Sequence, residues 1–293
     1  MSQWQGKSKG NKLGYRIVFF VCSKLGVLPA YLLLRFVAFY YFLFSFSSSA
    51  PIYSYFRYRL GFGKLKSIVM LYSNYYVFAQ TLLDKIIIMA GIKNNFTFDF
   101  DGVENLHEIV RQGNGGILLS AHVGNWEAAG HLLEHLNTRV NIVMFDGEHQ
   151  RIKDYLKEVT GDRSFNVIVV RDDMSHVYAI GEALQKNEIV CMHADRFLEG
   201  NKTIEYKFLG REALFPIGPF ALAAAFKVPV SFVFAFKESS THYHLYGSSL
   251  LHFVPDESRS RRIEILTDSF VKNLEVMMKK YPEQWFNYYN FWK

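Results

Sequence analysis

In the stretch GILLSAHVGNWEAAG, residues 116–130, an apolar run ends at His122 and an acid, Glu127, follows five residues later. Residues five apart in a regular helix point about 140° away from each other, so the two meet only if His122 stands before a helix that contains Glu127. Gly124 permits the sharp turn this requires, and Asn125 is a candidate N-cap with Trp126 and Glu127 in the first turn. A histidine folded back onto such a carboxylate has defined chemistry. The carboxylate fixes one ring nitrogen as a donor and favours the imidazolium; the other nitrogen takes a proton from an attacking hydroxyl, help typically worth about 10²- to 10⁴-fold in rate. The helix N-terminus adds N–H groups for phosphate or developing negative charge. The same spacing also fits a plain cap and a dipole-favoured acid beside an incidental histidine.

The elements that must hold this segment begin near Phe96. Short β-branched runs at 116–121, 140–145, 165–170, 188–193 and 228–236 read as strands, with helix candidates near 125–136, 149–160 and 173–186 between the first four. That alternation predicts an α/β fold with a mostly parallel, buried central sheet. Residues 241–253 suggest a further strand at an edge, and 258–281 a closing helix. With no repeat and no Gly/Ser linker in view, residues 93–293 read as a single domain.

Residues 1–92 differ in kind. Ten of the 33 basic residues precede the first acid, Asp84, leaving 23 against 27 acids in the rest, so the formal charge of +6 resides in the N-terminal segment. The residues between those cations are Val, Leu, Phe and Tyr rather than a solvated arm, which points to an anionic membrane surface and away from nucleic acid. From Leu25 to Phe46 run 22 residues with one charge, Arg35, about the length needed to cross a bilayer, though Pro29 interrupts them. A tilted span and an in-plane anchor both fit, as does a buried helix hairpin; a removed signal peptide does not. Tyr40, Tyr41, Tyr53, Tyr55 and Tyr58 crowd the end of the run, as an interfacial aromatic belt would. Residues 67–92 read as one or two amphipathic connecting helices. Cys22 and Cys191 are too few for a disulfide framework.

The motif and its preceding strand resemble the histidine-x4-acid motif of the lysophospholipid acyltransferase superfamily, and within it the bacterial lipid A late-acyltransferase branch, where glutamate is the acid and GNWE follows the histidine. The likeness extends to the basic start with an anchor ending in YYFLFS, to HADRFLEG after a strand, and to YPEQWF near the end. It implies an N-terminal membrane helix, an α/β catalytic domain on the cytoplasmic face of the bacterial inner membrane, and transfer of a fatty acyl group from acyl carrier protein or coenzyme A to a hydroxyl of a membrane glycolipid. His122 is then the base and Glu127 its orienting partner, with no metal, no cofactor and no covalent acyl-enzyme; the thioester is a co-substrate. The resemblance carries over Asp195, just past a strand, and more loosely Arg163 in TGDRSF, as groups that support substrate binding. Asn125, Arg196, Arg211 and Gly218, the last in a Phe-Pro-Ile-Gly-Pro block before a small-residue helix, complete the expected binding set. One departure stands out: the relatives end in an arginine-rich segment, whereas YPEQWFNYYNFWK is aromatic. This implies a less anionic acceptor, a different lipid or a polyene-type amphiphile, with the tail as an interfacial contact.

Other chemistries have weaker claims. HLLEH, with His131, Glu134 and His135, matches an inverted zinc-peptidase pattern but has no third-ligand motif after it. GNGG, residues 113–116, lacks the lysine and serine of a nucleotide-binding loop and reads as a turn. A non-catalytic membrane protein that binds lipid through the same fold is the alternative from a different class.

Overall fold

The computed structural model describes residues 20–22, 24–89, 91–126, 133, 136, 138–145, 165–198, 200–254 and 256–293. Glu127, Arg163, the HLLEH polar residues and the helix candidates near 125–136 and 149–160 lie wholly or largely outside them. The apolar run forms α1 (Val27–Phe44) and, after Ser45, α2 (Phe46–Ser54), which passes into a π-helical turn at Tyr55–Arg59. The connecting segment is one continuous helix, α3 (Lys64–Met89). α1 packs antiparallel along α3: Phe39 and Phe42 meet Tyr72, Tyr41 meets Tyr75, and Tyr31 reaches Asp84. One side of α1 is therefore inside the protein. The other displays Leu28, Leu32, Phe36, Leu43 and Phe44 to the outside.

Among the described residues the sheet has seven strands: β1 (Thr97–Asp101), β2 (Gly116–Ser120), β3 (Val140–Phe145), β4 (Phe165–Val170), β5 (Ile189–His193), β8 (Val230–Lys237) and β9 (His242–Gly247). Their order is β1-β9-β8-β2-β5-β3-β4, and every neighbouring pair is parallel except β8 and β9. A hairpin of β6 (Thr203–Phe208) and β7 (Arg211–Pro216) stands apart from it. The central strands β2 and β8 are buried throughout, as a parallel sheet covered on both faces requires. Among the described residues the further α-helices are α4 (Val103–Gln112), α5 (Ser175–Gln185), α6 (Ile217–Phe226) and α7 (Arg259–Lys280), the last capped by the Ser258 hydroxyl on the Arg261 N–H.

The structure revises several sequence expectations. β9 is an interior strand, and the edge on its side is β1, whose TFDFD alternation is too short and too exposed to read as buried strand; its aspartates suit an open edge. In a segment for which no strand was expected, residues 203–216 form the β6–β7 hairpin, which turns at Leu209 and Gly210, both at positive φ, the type I′ geometry that matches strand twist. The aromatic tail is core rather than interface: Trp285, Phe291 and Trp292 are buried and stack around Phe208. Tyr55, read as part of an aromatic belt, lies in the same cluster, with its hydroxyl on the Met278 carbonyl.

Candidate active site

Strand register puts the site together. β2 and β5 are parallel neighbours with Ser120 opposite His193, so two residues further on His122 stands opposite Asp195, at the C-terminal edge of the sheet. The Ala194 N–H donates to the Ser120 carbonyl at 2.9 Å and extends that register past the strands. Asp195 then grips His122 twice, accepting from its backbone N–H at 3.0 Å and meeting ring Nδ1 at 2.8 Å.

The Asp195 carboxylate is almost fully buried, whereas the His122 side chain is 20% exposed. Burial alone would push the carboxyl up, but the bond and charge of His122, with the Arg196 guanidinium 3.9 Å away, outweigh it and hold Asp195 well below the usual carboxylate range. An ionised Asp195 can only accept, so Nδ1 carries the hydrogen and proton transfer falls to Nε2. Asp195 was expected to support substrate binding; the structure places it on the histidine. Glu127 lies outside the described residues.

His193 stacks on His122 with ring centroids 4.3 Å apart, and Trp126 stands edge-on to it at 5.0 Å. Burial, reinforced by His122, holds His193 far below the ordinary histidine value, so it is a neutral ring against the one that would gain charge. Nothing in the spacing of the sequence singled it out. Ligand atoms of His122, His193 and Asp195 lie within 4.8 Å of one another, a donor set compact enough for a cation, though both Asp195 oxygens already serve His122.

The turn after His122 is fastened on two sides. Gly124 has φ +56°, and a Cβ there would fall 1.9 Å from the Ala235 carbonyl oxygen, so the position needs glycine. Its N–H donates to the Gln284 carbonyl and that of Asn125 to the Ala235 carbonyl, both at 2.8 Å. Gln284, in the YPEQ segment, also clamps Lys237 with its side-chain amide, accepting from the Lys237 N–H at 2.9 Å and donating to its carbonyl at 2.7 Å.

The other expected residues scatter. Asn125 is fully buried and donates to the Tyr243 hydroxyl rather than facing an open cleft. Arg196 donates to the Phe286 carbonyl at 2.8 Å and borders the site. Arg211 is exposed on the β6–β7 hairpin, near Arg59, and Gly218 sits in the first turn of α6 with open space where a side chain would stand. An open cleft of about 530 Å³ between α1 and the β8–β9 loop has Leu28, Leu32, Arg35, Lys237 and Glu238 among its walls, but not His122.

A family model described as bacterial lipid A biosynthesis acyltransferase matches residues 68–293. Phosphatidylinositol mannoside acyltransferases from two strains of Mycobacterium tuberculosis are 28% identical over 127 residues, which is 42% of this chain and 39% of theirs. The chain thus aligns with well under half the length of these relatives. A crystal structure of the 1-acyl-sn-glycerophosphate (LPA) acyltransferase from Thermotoga maritima is similar over 84% of this chain and 97% of that one, at 16% identity and a TM-score of 0.35.

Proposed function

The chain belongs to the bacterial lipid A biosynthesis acyltransferase family, and from that premise we propose that it transfers a fatty acyl group from an acyl thioester to a hydroxyl of a membrane lipid. The observation that supports this most is the Asp195–His122 pair at the sheet's C-terminal edge, inside the matched region. His122 Nε2 accepts the proton of the acceptor hydroxyl as its oxygen attacks the thioester carbonyl. Collapse of the tetrahedral intermediate breaks the C–S bond, and the imidazolium returns its proton to the departing sulfur. An ester and a thiol result, with no covalent enzyme intermediate and no cofactor. Asp195 holds the ring orientation and stabilises the imidazolium, with Glu127 as a second orienting acid, Arg196 bordering the site, and Arg163 in support of substrate binding.

The donor is acyl carrier protein or coenzyme A thioester. The acceptor is a lipid A-type glycolipid; the similarity to the mycobacterial phosphatidylinositol mannoside acyltransferases makes a mannosylated phosphatidylinositol the second reading.

The enzyme works at the cytoplasmic face of the bacterial inner membrane. α1 is long and apolar enough to cross a bilayer by length and composition. Yet it lies along α3, and both its flanks are basic, with Lys24 on one side and Arg57, Arg59, Lys64 and Lys66 on the other. Cations on both sides favour keeping both ends cytoplasmic, with the outer face of α1 sunk into one leaflet.

The experiment is transfer of a labelled acyl group from each donor to a total membrane-lipid extract, with the product identified by mass spectrometry. A labelled glycolipid supports the proposal and names the acceptor. No transfer from either donor, with folded protein and native lipids, favours a lipid-binding protein without catalysis.

A further inference from the structure

The turn that carries His122 is tied to a second buried polar cluster which the proton-transfer scheme does not use. Asp84 on α3 is fully buried and accepts from the Lys237 ammonium at 2.6 Å, from the Tyr31 hydroxyl at 2.5 Å and from the Tyr243 hydroxyl. Lys237 spends its other donors on the Tyr31 oxygen at 2.9 Å and the Ser240 carbonyl at 3.0 Å. The Tyr243 hydroxyl, its proton committed to Asp84, accepts from Asn125 Nδ2 at 3.2 Å. The bonds therefore run in one sense, from Asn125 through Tyr243 to Asp84, with Lys237 supplying the countercharge. Burial pushes Asp84 up and Lys237 down, while their attraction and the three donors on the carboxylate oppose it.

A buried ion pair adds little net stability over well-packed apolar residues, so stability alone does not account for one here. Its connections do. The side chain of Lys237 belongs to the cluster, and its backbone is held by Gln284, whose carbonyl receives the Gly124 N–H. Asp84 reaches Asn125 through Tyr243. Two routes thus converge on Gly124 and Asn125, the second and third residues after His122. The cluster also includes Tyr31, from the helix with the exposed apolar face.

We propose that Asp84 and Tyr243 are positioning residues for the acyl transfer, holding through Asn125 the turn that presents His122 to Asp195 and joining that turn to the N-terminal apolar helix. The proposal rests on the acyltransferase reading for its kinetic consequence but not for its structural one. A site must be held to about 0.5 Å to work, and a 1 Å misplacement costs about 10²-fold. Loss of one of several anchors should cost about tenfold.

The test is Tyr243→Phe, which keeps the ring against Phe96 and Phe98 and removes only the bridging oxygen. Two readouts are compared with wild type: kcat and KM for transfer, and amide hydrogen exchange across residues 121–126 in the full-length protein. The expected result is a kcat about tenfold lower at unchanged KM, with faster exchange in that turn and unchanged exchange in β2 and β5. Unchanged kcat and exchange, or a loss that only follows a fall in melting temperature, overturns it. Should Tyr243→Phe fail to fold, Asn125→Ala cuts the same bond from the other end and is judged by the same outcomes. An inactive wild type would sink the acyltransferase reading and leave the exchange comparison to decide the positioning role.

Discussion

Asp195 and Asp84 are both buried carboxylates facing a nitrogen partner, and they end up on opposite sides of the ordinary carboxylate value. Asp195 is held low because His122 and Arg196 outweigh its burial, and its partner ring reaches the surface. Asp84 is held high because burial outweighs Lys237 and two hydroxyls, and its partner is only 4% exposed. Both acids are buried, and the difference is in how much positive charge and hydrogen bonding each receives against that burial. A carboxylate behind a half-open histidine can influence a reaction at the surface, whereas one enclosed with a lysine can act only through what it holds in place.

The largest expected effect is at the open pair. Asp195→Asn keeps the shape but not the charge and can present an N–H where Nδ1 needs an acceptor, so kcat should fall by roughly 10²- to 10⁴-fold with the fold intact. A fall of less than tenfold, with Glu127→Gln measured alongside and far more damaging, would give the orienting role to Glu127.

At the closed pair the effect should be on stability. Asp84→Asn leaves a buried ammonium without countercharge and should destabilise by about 3–5 kcal/mol in denaturant unfolding, most of it recovered in Asp84→Asn/Lys237→Met. A single variant as stable as wild type would mean the pair is not enclosed as described. Gly124→Ala, which drives a methyl into the Ala235 carbonyl at positive φ, should cost about 2 kcal/mol or more and slow transfer as well.

The smallest effect is the dependence on pH. Because Asp195 is depressed in the folded state, its contribution is fully present above the unfolded carboxylate value of about 4 and is lost as the pH falls below it toward the folded one. The stability gap between wild type and Asp195→Asn should therefore be constant near neutrality and close in acid. A gap that widened in acid would reverse the sign of the shift.

Much of the open pair was legible in the sequence, because a parallel sheet converts local patterns into neighbours. Two apolar runs, 116–121 and 188–193, each followed by a polar group at its C-terminal end, are enough to bring His122 and Asp195 to one edge once the strands pair. What spacing could not give was the register of those strands, and hence that Asp195 rather than a site for substrate would meet the ring, or that His193 would stack on it. The closed pair was not legible at all. Asp84, Lys237 and Tyr243 lie in three elements between 84 and 243 and share no spacing. The aromatic tail misled for a related reason: Trp and Tyr suit a membrane interface and a core equally, and packing against Phe208 decided the matter.

The most direct test of the account is the single-turnover rate of acyl transfer to the lipid acceptor by His122→Ala beside wild type, with both shown to be folded. A loss of about 10²- to 10⁴-fold, the contribution of a general base, is expected. Transfer retained to within tenfold would show that the proton of the acceptor hydroxyl is taken elsewhere and that the Asp195–His122 pair is not the catalytic centre.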